Sequence, residues 1–306
     1  MKLPFLRPVV PPHVFCLLAE GVTYARVRRE APVGFAEART FSYPAGSVGG
    51  GASGTPLFSR EALSEAVAAA RRLSEDRMSR ACVVFPDAWA RMLPVEFDSL
   101  PEAEAAATEM VRWKLKKLLP GVTSELSVAF REMPPADGGL RRLLVAAVPA
   151  ESLRSIETAF ESLGVRIGLL SPASLVLFEG LAPALSRLAG GDYALVHRAA
   201  GSFSLLIARD GTPVFFRQRP GEQEPEDHEQ ELRLSLSYYA EKLKGQGLTA
   251  VYVHDERREG FAGSGGFPVK PVAVTAGLLG ADAGFDERIA ARPELLPGFA
   301  AVWGRS

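Results

Sequence analysis

A chain of 306 residues with 47% apolar content is long enough for two domains or one large bilobal fold with substantial cores. Its net charge of -1 excludes the basic face expected of a general nucleic-acid binder, and no run approaches the roughly 18 apolar residues of a membrane-spanning helix. Proline breaks the N-terminus MKLPFLRPVVPPH too often for a secretory signal, so the expected location is cytosolic.

Strands are predicted at Val14 to Leu18, Thr23 to Arg28 and Ala36 to Phe41, which form a meander. Cys16 and Cys82 fall inside predicted strands, away from any Cys-x-x-Cys or Cys/His cluster, and read as buried free thiols. Gly49 to Gly54 satisfies G-x-G-x-x-G, but the next helix starts only at Ser59, so the glycines do not open it toward a pyrophosphate and read as a loop. Ser59 is an N-cap, and Leu63, Ala66, Val67, Ala70 and Leu73 form one helical stripe. Ala81 to Phe85 is a buried strand ended by Pro86-Asp87, and Arg91 to Phe97 is extended. Pro101 at a first-turn position starts a helix to about Leu119, which Pro120-Gly121 stops. Strands Leu126 to Glu132 and Leu143 to Val148 flank the turn Pro134 to Gly139. A helix from Glu151 to Leu163, a strand from Arg166 to Leu170 and a helix from Ala173 to Leu185 follow, with a boundary at Gly190-Gly191.

A second meander alternates in period two: Tyr193 to Val196, Phe203 to Ala208, and Pro213 to Phe216, the last two joined by the hairpin turn Arg209-Asp210-Gly211. An acidic linker, Gly221 to Glu226, leads to a helix from Asp227 to Lys244. A strand from Ala250 to His254, a Gly-rich loop from Gly260 to Gly266, a short strand near Val269 to Val274 and a helix from about Leu295 close the chain. Meander, helix and strand therefore occur twice, the order expected of a duplicated ribonuclease-H-like unit.

The order of three segments carries a resemblance: LPVEFDSLPEAEAAATEMVRWKLKKLLPG (Leu93 to Gly121), LLVAAVPAESLRSIETAFESLGVRI (Leu143 to Ile167) and ARDGTPVFFRQ (Ala208 to Gln218). With ELRLSLSYYAEKL (Glu231 to Leu243) and the closing LLPGFAAVWG, the chain resembles the PilM family of type IV pilus assembly proteins and, more loosely, the cytoplasmic region of the GspL family and the cell-division protein FtsA. The resemblance implies an α/β actin-like ATPase fold of two ribonuclease-H-like lobes. Residues 1–88 and 143–190 are the first lobe, 89–142 an inserted small α+β subdomain, and 191–292 a reduced second lobe that lacks the usual extra subdomain after Gln218. The helix in residues 293–306 is expected to pack back on the first lobe.

Family members commonly bind ATP through an Asp and a bare Gly in each of two phosphate loops. The first loop aligns with Leu18-Ala19-Glu20-Gly21 ahead of Thr23, where Leu18 replaces the acid and Glu20 sets a like charge beside the phosphate. The second is the His197 to Gly201 turn ahead of Ser202, with His197 in the Asp position. The adenosine-side Gly-Gly appears as Val253-His254-Asp255-Glu256. These departures imply a degenerate nucleotide pocket and no catalytic residue, metal or required cofactor, with ATP a doubtful ligand. The alternative is an active ATPase or phosphotransferase using Asp192, Asp210 or Asp255.

By the same resemblance, the chain is a cytoplasmic scaffold peripheral to the inner membrane, which binds the cytosolic N-terminal peptide of a PilN-like membrane protein and self-associates into a ring. The peptide groove lies between the inserted subdomain and the first lobe, with Val95, Phe97, Leu100 and Trp113 as candidate contacts. Trp113 reads equally well as core. Arg112, Lys114, Lys116 and Lys117 complement a helix C-terminus or meet an anionic membrane. The four histidines, His13, His197, His228 and His254, show no metal spacing and are expected in surface or turn roles.

Overall fold

The apolar runs at 13–17 and 193–199 become the central strands of two sheets with one topology. In chain order the elements of the first half of the computed structural model are β1 (His13–Leu17), β2 (Gly21–Arg28), β3 (Gly34–Ser42), β4 (Val48–Gly50), β5 (Pro56–Phe58), α1 (Arg60–Leu73) and β6 (Arg80–Phe85). A 3-10 turn at Asp87–Trp89 leads to β7 (Arg91–Phe97), α2 (Glu104–Leu118), β8 (Leu126–Met133), β9 (Arg141–Pro149), α3 (Ala150–Glu161), β10 (Arg166–Pro172) and α4 (Ala173–Ala189). The second half contains β11 (Tyr193–Ala199), β12 (Ser202–Arg209), β13 (Thr212–Pro220), α5 (Pro225–Lys242), β14 (Ala250–Asp255), β15 (Val272–Ala273), a 3-10 turn at Pro293–Leu295 and α6 (Leu296–Trp303). The structure describes residues 10–28, 34–50, 56–74, 77–119, 125–135, 139–199, 201–220, 225–256, 269–275 and 292–304. The expected Gly260 to Gly266 loop and the Pro120-Gly121 helix stop lie outside them.

The first sheet runs β3-β2-β1-β6-β10 and the second β13-β12-β11-β14-β15. In both, an antiparallel meander is extended by two parallel strands, β1 beside β6 beside β10 and β11 beside β14 beside β15. This is the duplicated ribonuclease-H-like arrangement of an actin-like fold, with only residues 221–224 between β13 and α5. Every residue of β1 and of β11 is buried, so the period-two reading of 193–196 understates its burial: both faces are covered, as parallel pairing requires.

Local signals account for the helices that cover the sheets. The Ser59 side chain accepts the Ala62 N–H at 3.2 Å and caps α1. Phe15 of β1 meets Phe160 of α3 edge to face at 4.9 Å, a pair that contributes about 0.5–1.5 kcal/mol beyond the burial of its area. On the other side, α6 lies against α4 and β1. Gly180 of α4 abuts the Ala300 backbone, and Gly298 of α6 abuts Val14 and comes near Cys16. The expected hairpin turn is present, with Asp210 and Gly211 both at positive φ, 50° and 71°. Helix α2 starts three residues later than the Pro101 signal indicates, at Glu104 behind an Ala103 cap that accepts no side-chain bond.

One strand moves between domains. The stretch 143–148, assigned from sequence to the first lobe, is the middle of a three-stranded sheet ordered β7-β9-β8. Antiparallel register to β8 and to β7 joins it to the inserted sheet. One face of this sheet packs under α2 through Val95, Phe97, Val111, Leu115 and Leu143; Met92, Met133 and Leu144 join the core of the first lobe. Gly49 and Gly50 belong to β4, paired with β5, while 51–55 lie outside the described residues.

Candidate functional site

The two sheets face each other where an actin-like fold would hold a nucleotide, and each residue expected there has a different occupation. Gly21 begins β2, and a side chain on it would overlap the Phe41 backbone, so glycine serves strand packing here. Thr23 is buried, with its hydroxyl 3.0 Å from that of Thr40. Glu20 is exposed and Leu18 half-buried. Between Leu17, Leu18, Phe85 and Ala173 on one side and Ala199, Glu256 and Glu294 on the other remains a cavity of ≈20 Å³, room for about one water.

His197 departs from its expected turn role. It lies in β11, directly opposite His254 of β14 in parallel register, and the two are 1% and 2% exposed. Their Nδ1 atoms are 2.9 Å apart. The Pro293 carbonyl accepts a hydrogen bond from His254 Nε2 at 3.0 Å, so His254 carries its proton on Nε2 and presents a lone pair on Nδ1. His197 must then donate from Nδ1, which leaves a bare lone pair on its Nε2. That atom is buried without a hydrogen-bond partner and lies 3.9 Å from Glu256 Oε1. His13 is buried as well, 3.1 Å from the Tyr24 hydroxyl, so every histidine whose burial is described is interior. Gly201 takes the positive φ of 72° that its turn needs, and Ser202 is buried.

Charge around the pair is unbalanced. Burial lowers His197 to about 4 and His254 to about 3, the latter helped by its neighbour His197. Glu256 rises to about 8 through burial and the nearby carboxylates Asp87, Glu294 and Asp255. The histidines are depressed, so their contribution to stability is complete above 6.5 and is lost as pH falls through the folded values. Glu256 is raised, so its contribution is complete below 4.5 and is lost as pH rises through about 8. Asp87, also raised by burial, acts in the same sense as Glu256. In chelator-treated protein the unfolding free energy is therefore expected to fall by about 2 kcal/mol from pH 6.5 to pH 8, at about 1.4 kcal/mol per unit per proton. Urea titrations at the two pH values check this: Glu256→Gln should flatten the fall, and a level wild-type profile would contradict it.

In the sequence Asp87 marks only the end of a strand. It is fully buried and ties three units together. Its Oδ1 accepts the Ser174 N–H at 2.9 Å, at the start of α4, and its Oδ2 accepts the Ser204 hydroxyl of β12 at 2.6 Å. Gln218 of β13 donates to the carbonyls of Asp87 and Ala90 and accepts from the Met92 N–H of β7. An acid directly after a buried strand, in Phe85-Pro86-Asp87, was the available signal. The acids of the catalytic alternative do not converge. Asp192 precedes β11 and is held by Arg209 at 3.0 Å and Tyr239 at 2.6 Å. Asp255 pairs with Arg198 near the other end of the same strand, about 20 Å away at strand rise, and Asp210 is in the exposed hairpin turn.

The candidate peptide contacts do not share a surface. Val95 and Phe97 are 2% and 5% exposed beneath α2, Leu100 is half-buried there, and Trp113 is 59% exposed on the outer face of α2 with the Lys117 ammonium 3.6 Å from its ring centre. A groove between the inserted sheet and the first lobe lies elsewhere. Edge strands β8 and β10 flank it, with Ala129, Phe130, Leu169, Leu170 and Leu175 on its walls and a volume of ≈250 Å³. It shares Arg131, Phe178 and Glu179 with a wider depression of ≈830 Å³ that runs to the Asp210-Gly211 turn. Arg131 and Glu179 face each other at 3.9 Å where the two meet. Among the described residues no helix is long and apolar enough to cross a membrane.

Two sheets of one topology about a common cleft define the actin-like ATPase fold, and solved structures agree. A chain of the PilM-PilN type IV pilus biogenesis complex matches with a TM-score of 0.72 at 18% identity, over 98% of this chain and 100% of that one. A Bacteroides thetaiotaomicron protein with an actin-like ATPase fold and unknown function gives 0.51 at 10% identity, over 97% and 99%. The cytoplasmic domain of EpsL, an inner membrane component of the type II secretion system of Vibrio cholerae, gives 0.50 at 11% identity, over 94% and 93%. No family model and no curated protein matches the sequence. In fold, then, the chain resembles the PilM-PilN and EpsL structures.

Proposed function

We propose that the chain is a non-catalytic adaptor of a type IV pilus or type II secretion-like inner-membrane platform, holding the cytosolic N-terminal peptide of a PilN-like membrane protein. The observation that carries this reading is the apolar groove between β8 and β10. Each is the last strand of its sheet, so each leaves backbone N–H and C=O groups on its outer edge. An extended peptide takes up such groups by strand addition, with its alternate side chains in the pockets between. The likeness to a chain of the PilM-PilN complex supports the choice of partner. Location on the cytoplasmic side of the inner membrane, and assembly into a ring, follow from that partner and belong to the same proposal.

The absence of catalysis is part of the reading. A cavity of ≈20 Å³ with acids on its wall opposes a triphosphate both sterically and electrostatically. Magnesium-ATP is expected to give no calorimetric signal, and tight binding would remove this half of the proposal.

Peptide binding is tested by fluorescence anisotropy with a labelled N-terminal peptide of the neighbouring-gene membrane protein. Ala129→Arg fills the groove from an exposed position without emptying the core, and it is expected to weaken binding more than about tenfold, or roughly 1.4 kcal/mol. Trp113→Ala, outside the groove, should bind as wild type. Equal affinity for wild type and Ala129→Arg would overturn the placement.

A further inference from the structure

We propose that His197, His254 and Glu256 form a site for one divalent transition-metal cation, of the zinc class, in the cleft between the lobes. One donor atom from each lies within 4.8 Å of the others. Two imidazoles and a carboxylate are a donor set suited to zinc, with the fourth position left to water. A cavity of ≈20 Å³, the size of one water, adjoins the carboxylate and is lined by Glu256 and Glu294.

The two imidazoles need little adjustment, while the Glu256 carboxylate, 3.9 Å from His197 Nε2, has to swing inward to complete the donor set. Two nitrogens at 2.0–2.1 Å on a tetrahedral ion stand about 3.3 Å apart, and the two Nδ1 atoms are 2.9 Å apart now. The proton they share then moves to Nε2 of His197, the buried atom that has no hydrogen-bond partner. His254 is already oriented from behind by its hydrogen bond to the Pro293 carbonyl, as metal-bound histidines commonly are. Charge favours a cation: Asp87, Asp255 and Glu294 lie near Glu256, and Arg198 pairs with Asp255. The inference is independent of peptide binding, because none of the three residues lines the groove.

The test uses the full chain, stripped with a chelator and titrated with Zn²⁺ and with Co²⁺ as a coloured substitute. One equivalent per chain is expected, with the intense visible absorption of four-coordinate cobalt and a rise in melting temperature on zinc addition. Glu256→Gln and His197→Gln should each weaken binding by more than about tenfold. Binding that is weak and multiple, or unchanged in both variants, would overturn the site. Where a variant fails to fold, X-ray absorption of the zinc-loaded wild type decides: two imidazoles in the first shell support the site, and none excludes it.

Discussion

Gly180→Val is expected to lower the unfolding free energy by at least about 3 kcal/mol, measured as a shift in the urea midpoint. In an isolated helix the loss of a glycine is favourable, by up to about 1 kcal/mol for alanine. Here the sign reverses because α4 and α6 touch through their backbones. A Cβ on Gly180 overlaps the Ala300 carbonyl, and Gly304 in turn lies against the Gly180 backbone. No rotamer relieves a backbone clash, so α6 has to move as a body. That motion uncovers Phe299 and Val302, both fully buried, and withdraws the Pro293 carbonyl from His254. Gly180→Ala should already be destabilising. A gain of the size set by helix propensity alone would show that the crossing is looser than described.

Asp87→Ala should cost on the order of 3 kcal/mol, and Asp87→Asn should restore most of it. The carboxylate sits in a fully buried place where desolvation raises its pKa, and the Ser174 and Ser204 hydrogen bonds pull it back down. Alanine leaves both donors buried and unpaired and adds a cavity. Asparagine keeps an acceptor for the Ser174 N–H, and the Ser204 hydroxyl can rotate to accept from the new amide. Equal loss in both variants would mean that charge, rather than hydrogen bonding, holds the junction.

The fold was legible to a large degree because its signals are local. Ser59 before an apolar stripe, Asp210-Gly211 between two strands and the two meanders all follow from short-range chemistry, and each appears where expected. What local signals do not carry is distant pairing. Residues 143–148 look the same as a strand of either unit; only their register with Arg91–Phe97 and Leu126–Met133 assigns them. Val95 and Phe97 follow as groove contacts from the resemblance alone, and apolar residues equally fit the core under α2, where both are buried.

The histidines show the same limit from another side. His197 and His254 are 57 residues apart, so spacing rules for metal ligands could not join them. Yet the matched stretches Val196-His197-Arg198 and Val253-His254-Asp255 pair residue for residue, and the Arg198 to Asp255 contact at 3.7 Å is the charge match that register predicts. Aligning the first strand of the second meander with the strand that follows its helix brings the pair together.

The inserted sheet has no slack at either of its attachments. Strand β7 begins at Arg91, directly beyond the turn that holds Asp87, and β9 passes into α3 between Pro149 and Ala150 without a loop. A tension applied along an occupant of the β8 groove is therefore transmitted to the seam between the lobes rather than absorbed in a linker. The small sheet is geared to the body of the protein, and a tethered partner would pull on the whole molecule.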